Sequence, residues 1–298
     1  MKVKTLPCKS AMSRVHGRFP YHWDLNVYRG CSHRCQYCFA MYTQKYLEGG
    51  NFFNQVYVKE NIIEPLRREL YAKSWKKEVL NLGGVTDNWQ PLEHHFQIMP
   101  KVLQLCIETQ TPVIISTKSD LILRDLDLIA QLAKVTYVNI AATITCMDPI
   151  LQQSLEPGAV SSQRRFAMLK TVKEKTCAFT GVHMMPIIPL LTDNADNLET
   201  LLACAQQAQA NYVLPGLLNL RGETRKHFFH YIHQQHPHLE KEFRQLYQQG
   251  WLDHSYKQQF YQHLNPLMKK FGCSSNYAKM IPTQNKAKTI DQLSLFEL

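Results

Sequence analysis

The chain has 298 residues, a formal net charge of +10 and 45% hydrophobic residues, enough for one large domain, or a domain with an extension, around a sizeable core. No run of about 18 uninterrupted apolar residues occurs, so no membrane-spanning helix is expected, and the lysines near Met1 lack the apolar segment of a secretory signal. Nine cysteines, an odd number with no regular spacing outside positions 31–38, argue against a disulfide framework and for a reducing, cytoplasmic setting.

Residues 1–23 read as an irregular basic leader punctuated by Pro7, Gly17 and Pro20. Residues 1–30 carry Lys2, Lys4, Lys9, Arg14, Arg18 and Arg29 against Asp24 alone. That imbalance points to a polyanionic partner, with nucleic acid first; the plainer reading is a solvated basic surface. Residues 24–28 read as a strand delivering a cysteine loop, and a helix is predicted over 39–47, ended by Gly49-Gly50. Strands are then expected at 79–82, 113–116, 137–142, 179–184 and 212–214. They alternate with helices near 59–72, 96–108, 121–133, 160–175 and 195–209, whose apolar residues recur every three or four positions. Short strands separated by such helices make βα units and a parallel sheet. After about residue 221 the sequence turns polar, helical and rich in His and Gln, giving a barrel segment over 24–221, a helical extension over 222–280 and a flexible tail over 281–298.

The cysteine loop reads Cys31-Ser32-His33-Arg34-Cys35-Gln36-Tyr37-Cys38. Three thiolates do not complete the tetrahedral shell of a structural zinc. An iron–sulfur cluster normally takes four cysteines, so three would leave one iron open for chemistry. The alternative is a zinc knuckle completed by His33 or a distant cysteine. At the end of the second predicted strand, Gly83-Gly84 would let the backbone approach a ligand closely, although an isolated Gly-Gly is more often a turn. Lys118 follows the third strand, with Ser119 or Asp120 as ordinary helix N-caps. Thr143, Thr145 and Cys146 close the fourth. Glu156 and Arg165 suit either a structural ion pair or contacts to a ligand.

The C-x3-C-x2-C spacing, with Tyr37 just before the last cysteine, resembles the signature of radical S-adenosylmethionine (SAM) enzymes. Further pieces resemble the spore photoproduct lyase-like branch of that superfamily, the bacterial DNA repair photolyase-type proteins. They are Cys8-Lys9-Ser10-Ala11, Tyr28-Arg29-Gly30-Cys31, Thr86-Asp87 with Gln90-Pro91 and Glu93, Thr117-Lys118-Ser119, Arg124-Asp125, Glu156-Pro157-Gly158 with Arg165, and Pro186-Ile187-Ile188-Pro189. They run in family order over residues 8–220. The resemblance implies an α/β fold, a partial (β/α)6 TIM-type barrel with its site at the C-terminal ends of the strands. It implies a [4Fe-4S] cluster on Cys31, Cys35 and Cys38. It places Tyr37, Gly83, Gly84, Thr86, Lys118 and Thr145 around SAM, with Glu156 and Arg165 as further candidates. Implied partners are DNA and an electron donor such as a flavodoxin or ferredoxin. One departure stands out: where authentic spore photoproduct lyase carries a hydrogen-donating cysteine, this chain has Gly84, and Cys146 is the thiol that could take a similar task. Radical chemistry on RNA or a peptide is the alternative within enzymes.

Five histidines, at 227, 230, 233, 236 and 238, drift around a helix rather than stacking on one face. They suit a metal site less than a solvated surface, and the aromatic residues among them read as helix-packing core. The tail residues Gln292, Leu293, Leu295 and Phe296 resemble the short peptide by which bacterial repair proteins bind the DNA polymerase sliding clamp. This gives the other class of function, a non-catalytic metal-binding adaptor on that clamp.

Overall fold

The computed structural model describes residues 1–17, 19–46 and 52–277. Among these described residues ten strands form two sheets. The leader, expected to be irregular, supplies β1 (Lys2–Thr5) and β2 (Met12–Arg14). The Glu69 carboxylate explains the second, because it accepts from Ser10 Oγ, Ala11 N and Met12 N at 2.7, 3.0 and 2.9 Å and draws the segment onto the body. The single strand expected over 24–28 is split into β3 (Trp23–Leu25) and β4 (Tyr28–Arg29). Between them Asn26 bonds back to Asp24, and Val27 N is taken by Asn88 Oδ1 instead of a neighbouring strand.

The small sheet has the order β1-β5-β4, with β5 at Gln55–Val58. The large sheet adds β6 (Leu80–Leu82), β7 (Val113–Thr117), β8 (Val138–Thr143), β9 (Phe179–Ile187) and β10 (Tyr212–Leu217). Its order is β10-β9-β8-β7-β6-β3-β2. The six strands from β3 to β10 are parallel and only β2 is antiparallel, giving the six-stranded open barrel expected.

Helices α1 (Ile63–Leu70), α3 (Met99–Thr109), α4 (Leu126–Val135), α6 (Ser162–Lys175) and α7 (Ala195–Gln207) match the predicted helices to within a few residues; α2 (Glu93–Phe96) and α5 (Pro149–Leu155) are additional. The predicted helix after the cysteines is a 3-10 helix, Phe39–Tyr46. Strand alternation sorts the barrel residues onto two faces. Leu25, Leu80, Leu82, Val113, Ile115, Val138, Ile140 and Val182 lie in the large core shared with the helices. The opposite face of the strands carries Asp24, Asn81, Ser116, Asn139, His183 and Tyr212 into the lumen, in a register that pairs Asp24 with Asn81 and Ser116 with Ala141.

The C-terminal extension contains α8 (Gly222–Gln235), α9 (Glu240–Leu246) and α10 (His254–Lys270). Phe228, Phe229, Tyr231, Phe243 and Tyr247 are buried there with Leu155, Cys35 and Tyr37, so the aromatic residues pack as core. Trp251 is the exception, 63% exposed. No helix among the described residues is long and apolar enough to cross a membrane.

Candidate active site

The cysteine loop follows β4 and lies over the C-terminal ends of the barrel strands, held there by a frame of buried polar groups. Asp87, on the loop after β6, accepts from Thr117 Oγ1 at 2.9 Å, Lys118 N at 2.8 Å and Trp89 N at 2.9 Å, and pairs with His33 Nε2 at 2.9 Å. Burial opposes its charge, yet His33 and these donors hold its carboxyl below the ordinary range. Gln90 accepts from Ser32 N at 2.9 Å and donates to Thr86 Oγ1 at 3.1 Å, while the Thr86 hydroxyl donates to Gly30 O at 2.7 Å. Tyr28 donates to Glu93, which Arg124 also engages. The residues that carried the family resemblance at 86–93 and 124–125 thus brace the loop.

Gly158 completes the frame. A Cβ there would lie 2.1 Å from Ser32 O, and its backbone exchanges hydrogen bonds with His33: Gly158 N donates to His33 O at 2.9 Å, and His33 Nδ1 bonds Gly158 O at 3.0 Å. Both ring nitrogens of His33 are therefore engaged within the frame, which removes it as a zinc ligand. Among the described residues no three His, Cys, Asp or Glu side chains are grouped to hold one metal ion. A zinc ion would need its sulfurs at about 2.3 Å from one centre, whereas a cluster spreads its thiolates around several irons.

Cys31, Cys35 and Cys38 are unpaired thiols whose pKa values burial pushes up to about 12; the sulfur of one neighbouring cysteine adds to the rise at each. Such thiols stay protonated at neutral pH unless a cationic metal centre holds them as thiolates. The donor set and its enclosure fit an iron–sulfur cluster.

Beside this loop, Tyr37, Lys118, Glu156 and Arg165 form one electrostatic group. The Tyr37 hydroxyl donates to Glu156, and Arg165 pairs with Glu156; both members of that ion pair are fully buried. Arg165 also donates to Thr143 O at 2.8 Å and Val160 O at 2.9 Å. Lys118 Nζ lies 5.6 Å from the Tyr37 ring centre. Burial favours the neutral amine, but Cys35 and Glu156 more than offset it and keep the ammonium above its ordinary range. Thr145 Oγ1 is buried with no hydrogen-bond partner, as is Ser32 Oγ. A buried hydroxyl left unpaired costs about 1–3 kcal/mol, so the orphaned hydroxyls fit a polar ligand in this space.

The close approach expected at Gly83-Gly84 is internal. Gly83 N donates to Leu25 O at 3.0 Å, and a Cβ on Gly84 would lie 2.3 Å from Asp24 Oδ2, whose carboxylate accepts from Gly84 N. A cysteine side chain has no room at this position while Asp24 is there. Cys146 is buried at the start of the loop after β8, its thiol donating to Asp148 O at 3.5 Å, adjacent to the site on the Glu156 side. The histidine-rich stretch is dispersed: His227 bonds Gln36, His233 bonds Glu240, and His236 contacts Tyr231. The clamp-like peptide at Gln292, Leu293, Leu295 and Phe296 lies outside the described residues.

The lumen residues escaped the sequence reading. His183 contacts Ser116 Oγ at 3.3 Å and Tyr212 OH at 3.4 Å; Tyr212 donates to Asn139, which donates to Tyr137. Burial, with Lys118 adding to it, brings the His183 imidazole down to about 4, so it is neutral at physiological pH. The available signal was a polar residue at alternate positions of otherwise apolar parallel strands, which should face apolar layers on both sides.

Comparison with known proteins agrees with this geometry. The family described as the Radical SAM superfamily matches residues 25–202. An uncharacterized protein of Mycobacterium tuberculosis is 35% identical over 297 residues, covering 97% of this chain and 86% of its own length. One of Methanocaldococcus jannaschii is 31% identical over 216 residues, 72% of this chain and 76% of that protein. In three dimensions the chain is similar to a spore photoproduct lyase variant solved with AdoMet and dinucleoside spore photoproduct. The TM-score is 0.66 at 11% identity, over 90% of this chain and 79% of that one, a likeness of fold. With its three-cysteine loop on a six-stranded parallel barrel, the chain belongs to the Radical SAM superfamily, enzymes that use a [4Fe-4S] cluster and S-adenosylmethionine.

Proposed function

We propose that this enzyme acts on DNA, removing a hydrogen atom from a damaged or modified nucleobase held in the barrel lumen. The observation that carries the reading is the polar inner wall of the barrel, whose His183 feels the Lys118 charge. Ser116, Asn139, His183 and Tyr212 form a mostly buried hydrogen-bonded set on the lumen face of the strands, of the polar character that the edges of a base require. A net charge of +10 favours a polyanionic substrate. A spore photoproduct lyase variant of similar fold was solved with a dinucleoside spore photoproduct bound. When bound, the cluster and SAM would supply the hydrogen-abstracting radical chemistry.

The chain's own residues bind and orient. Cys31, Cys35 and Cys38 hold the cluster. Tyr37 and Lys118 form the wall against which SAM packs, Thr145 offers its unpaired hydroxyl, and Glu156 with Arg165 fixes the Tyr37 ring. Gly83, Gly84 and Thr86 shape the facing loop. Cys146, buried on the Glu156 side of the site, is the thiol proposed to return a hydrogen atom.

The test is anaerobic cluster reconstitution, dithionite reduction and addition of SAM with irradiated DNA deuterated at its thymine residues. Deuterium in the 5′-deoxyadenosine supports the reading. Deuterium acquired from labelled RNA or peptide, with none from DNA, would overturn it.

A further inference from the structure

The hydrogen bonds among the lumen residues run in one direction. The Tyr212 hydroxyl donates to Asn139 Oδ1 at 3.1 Å, and Asn139 Nδ2 donates to Tyr137 OH at 3.1 Å. A phenol has one proton to give. Toward His183 Nε2, 3.4 Å away, the Tyr212 oxygen can therefore only accept, which puts the His183 proton on Nε2. Burial and the Lys118 charge keep the imidazole neutral, and a neutral imidazole carries a single N–H. Nδ1 is thus bare, and Ser116 Oγ, 3.3 Å from it, is the donor of that pair. From Ser116 through His183 and Tyr212 to Asn139, every proton points away from the barrel mouth.

The phenol that sets this order is itself fixed. Tyr212 pairs in register with Gly181, where a Cβ would lie 2.1 Å from the ring's Cζ, so a larger residue would displace the ring. The Tyr277 ring stacks on Tyr212 with centres 5.2 Å and planes 26° apart. Tyr212, Asn139 and Tyr137 are buried, whereas Ser116 and His183 are half-buried, so the series begins at its reachable end. Beside Ser116 the lumen is lined by small residues: Ala141 is its register partner, and Gly181 is the partner of Ala141. A ligand entering there meets a hydroxyl whose proton is already given away and whose oxygen can only accept.

We propose that Ser116 selects the substrate in the lumen by accepting a hydrogen bond from a ring N–H of the nucleobase, with His183 and Tyr212 as positioning residues that keep the serine proton turned away. This rests on the nucleobase reading above and names the edge of the base that is read. Thymine, uracil and guanine types carry a ring N–H at the centre of their pairing edge, whereas cytosine and adenine types carry a bare nitrogen there. A bare nitrogen would meet the Ser116 oxygen lone pair to lone pair. Both groups would then be desolvated without a partner, which is costlier than the gain from a hydrogen bond made.

The experiment uses the reconstituted holoenzyme and two single-stranded oligothymidylates irradiated alike, one with ordinary thymine and one methylated at every N3. Affinities are read by fluorescence anisotropy for the wild type, Ser116→Ala, Ser116→Thr and Tyr212→Phe. The wild type is expected to bind the N–H strand about tenfold more tightly, equivalent to about 1.4 kcal/mol. Ser116→Ala should lose most of that preference, and Ser116→Thr, which keeps a hydroxyl, should retain it. Tyr212→Phe should narrow it, because His183 loses the acceptor that fixes its proton. Nitrogen-15 NMR of the oxidised holoenzyme, with the ring assigned through His183→Gln, should find the proton on Nε2 in the wild type and shared between both nitrogens in Tyr212→Phe. A wild-type proton on Nδ1 overturns the proposal whatever the substrate. Equal wild-type affinities for the two strands, or a preference unchanged in Ser116→Ala, overturn it while the DNA reading stands. Deuterium reaching 5′-deoxyadenosine from RNA or peptide alone overturns the DNA reading and the proposal with it.

Discussion

At Gly84 a methyl group would stand 2.3 Å from Asp24 Oδ2, and Asp24 is fixed by Asn26, Asn81 and the Gly84 amide. Gly84→Ala is therefore expected to lose about 1–3 kcal/mol through overpacking. Asp24→Ala also destabilises, because three donors lose their acceptor, but in the double variant the clash has gone and the losses are less than additive. Urea unfolding of the four proteins measures this; additivity to within about 0.5 kcal/mol would show that the two groups do not share the space. A second residue-scale prediction concerns Glu156. Burial works against its charge, but Arg165 and Lys118 outweigh burial and hold the carboxyl below its usual range. A depressed carboxylate pKa contributes stability that is present above the unfolded value, about 4.3, and lost as pH falls through the folded value. Glu156→Gln leaves the fully buried Arg165 without its counter-charge, a loss of roughly 3–5 kcal/mol at pH 7. The gap in stability between wild type and variant should narrow as pH falls below about 4.3; a gap that stays constant from pH 7 to pH 3 would rule out the ion pair as its source.

Among the elements, α8 does more than extend the barrel. Thr224 Oγ1 donates to Cys38 O at 2.9 Å, and His227 bonds Gln36 at 2.8 Å. Phe228 is fully buried in the same apolar cluster as Cys35 and Tyr37. Phe228→Ala should lose about 3–5 kcal/mol and also lower the iron retained per chain after reconstitution, since the loop loses its backing. Full iron retention in the destabilised variant would mean that α8 supports the fold without supporting the loop. This role was not legible in the sequence, because a helix face that backs a distant loop has the same apolar spacing as any core helix. The parallel strands were legible as apolar runs between amphipathic helices, and the three cysteines by their local spacing. The leader was misread because the groups that order it, such as Glu69, lie 57–59 residues away. His183 and Asn139 were missed for a related reason: their meaning depends on which face of a strand looks into the lumen, and that is set by the closure of the sheet.

For the molecule as a whole, a net charge of +10 and the lumen reading predict DNA binding that is strong but unselective, weakening steeply as salt rises. Charge alone would spread the enzyme over all available polyanions, so a separate means of reaching newly replicated or repaired DNA would raise its effective concentration there. The C-terminal residues Gln292, Leu293, Leu295 and Phe296 are proposed to provide it by binding the sliding clamp, with Leu295 and Phe296 as the apolar anchors and Gln292 as the polar one. They follow a polar stretch containing Lys286 and Lys288 and lie far in sequence from every group in the active site. The two functions should therefore separate. Replacing Leu295 and Phe296 with alanine is expected to abolish clamp pull-down while dithionite-driven 5′-deoxyadenosine formation and the salt dependence of DNA affinity stay unchanged. If pull-down persists, the clamp is held elsewhere or the tail serves another purpose. If 5′-deoxyadenosine formation falls together with pull-down, the tail acts on the barrel itself, and the proposed division between a charge-driven substrate site and a peptide-driven recruitment site fails.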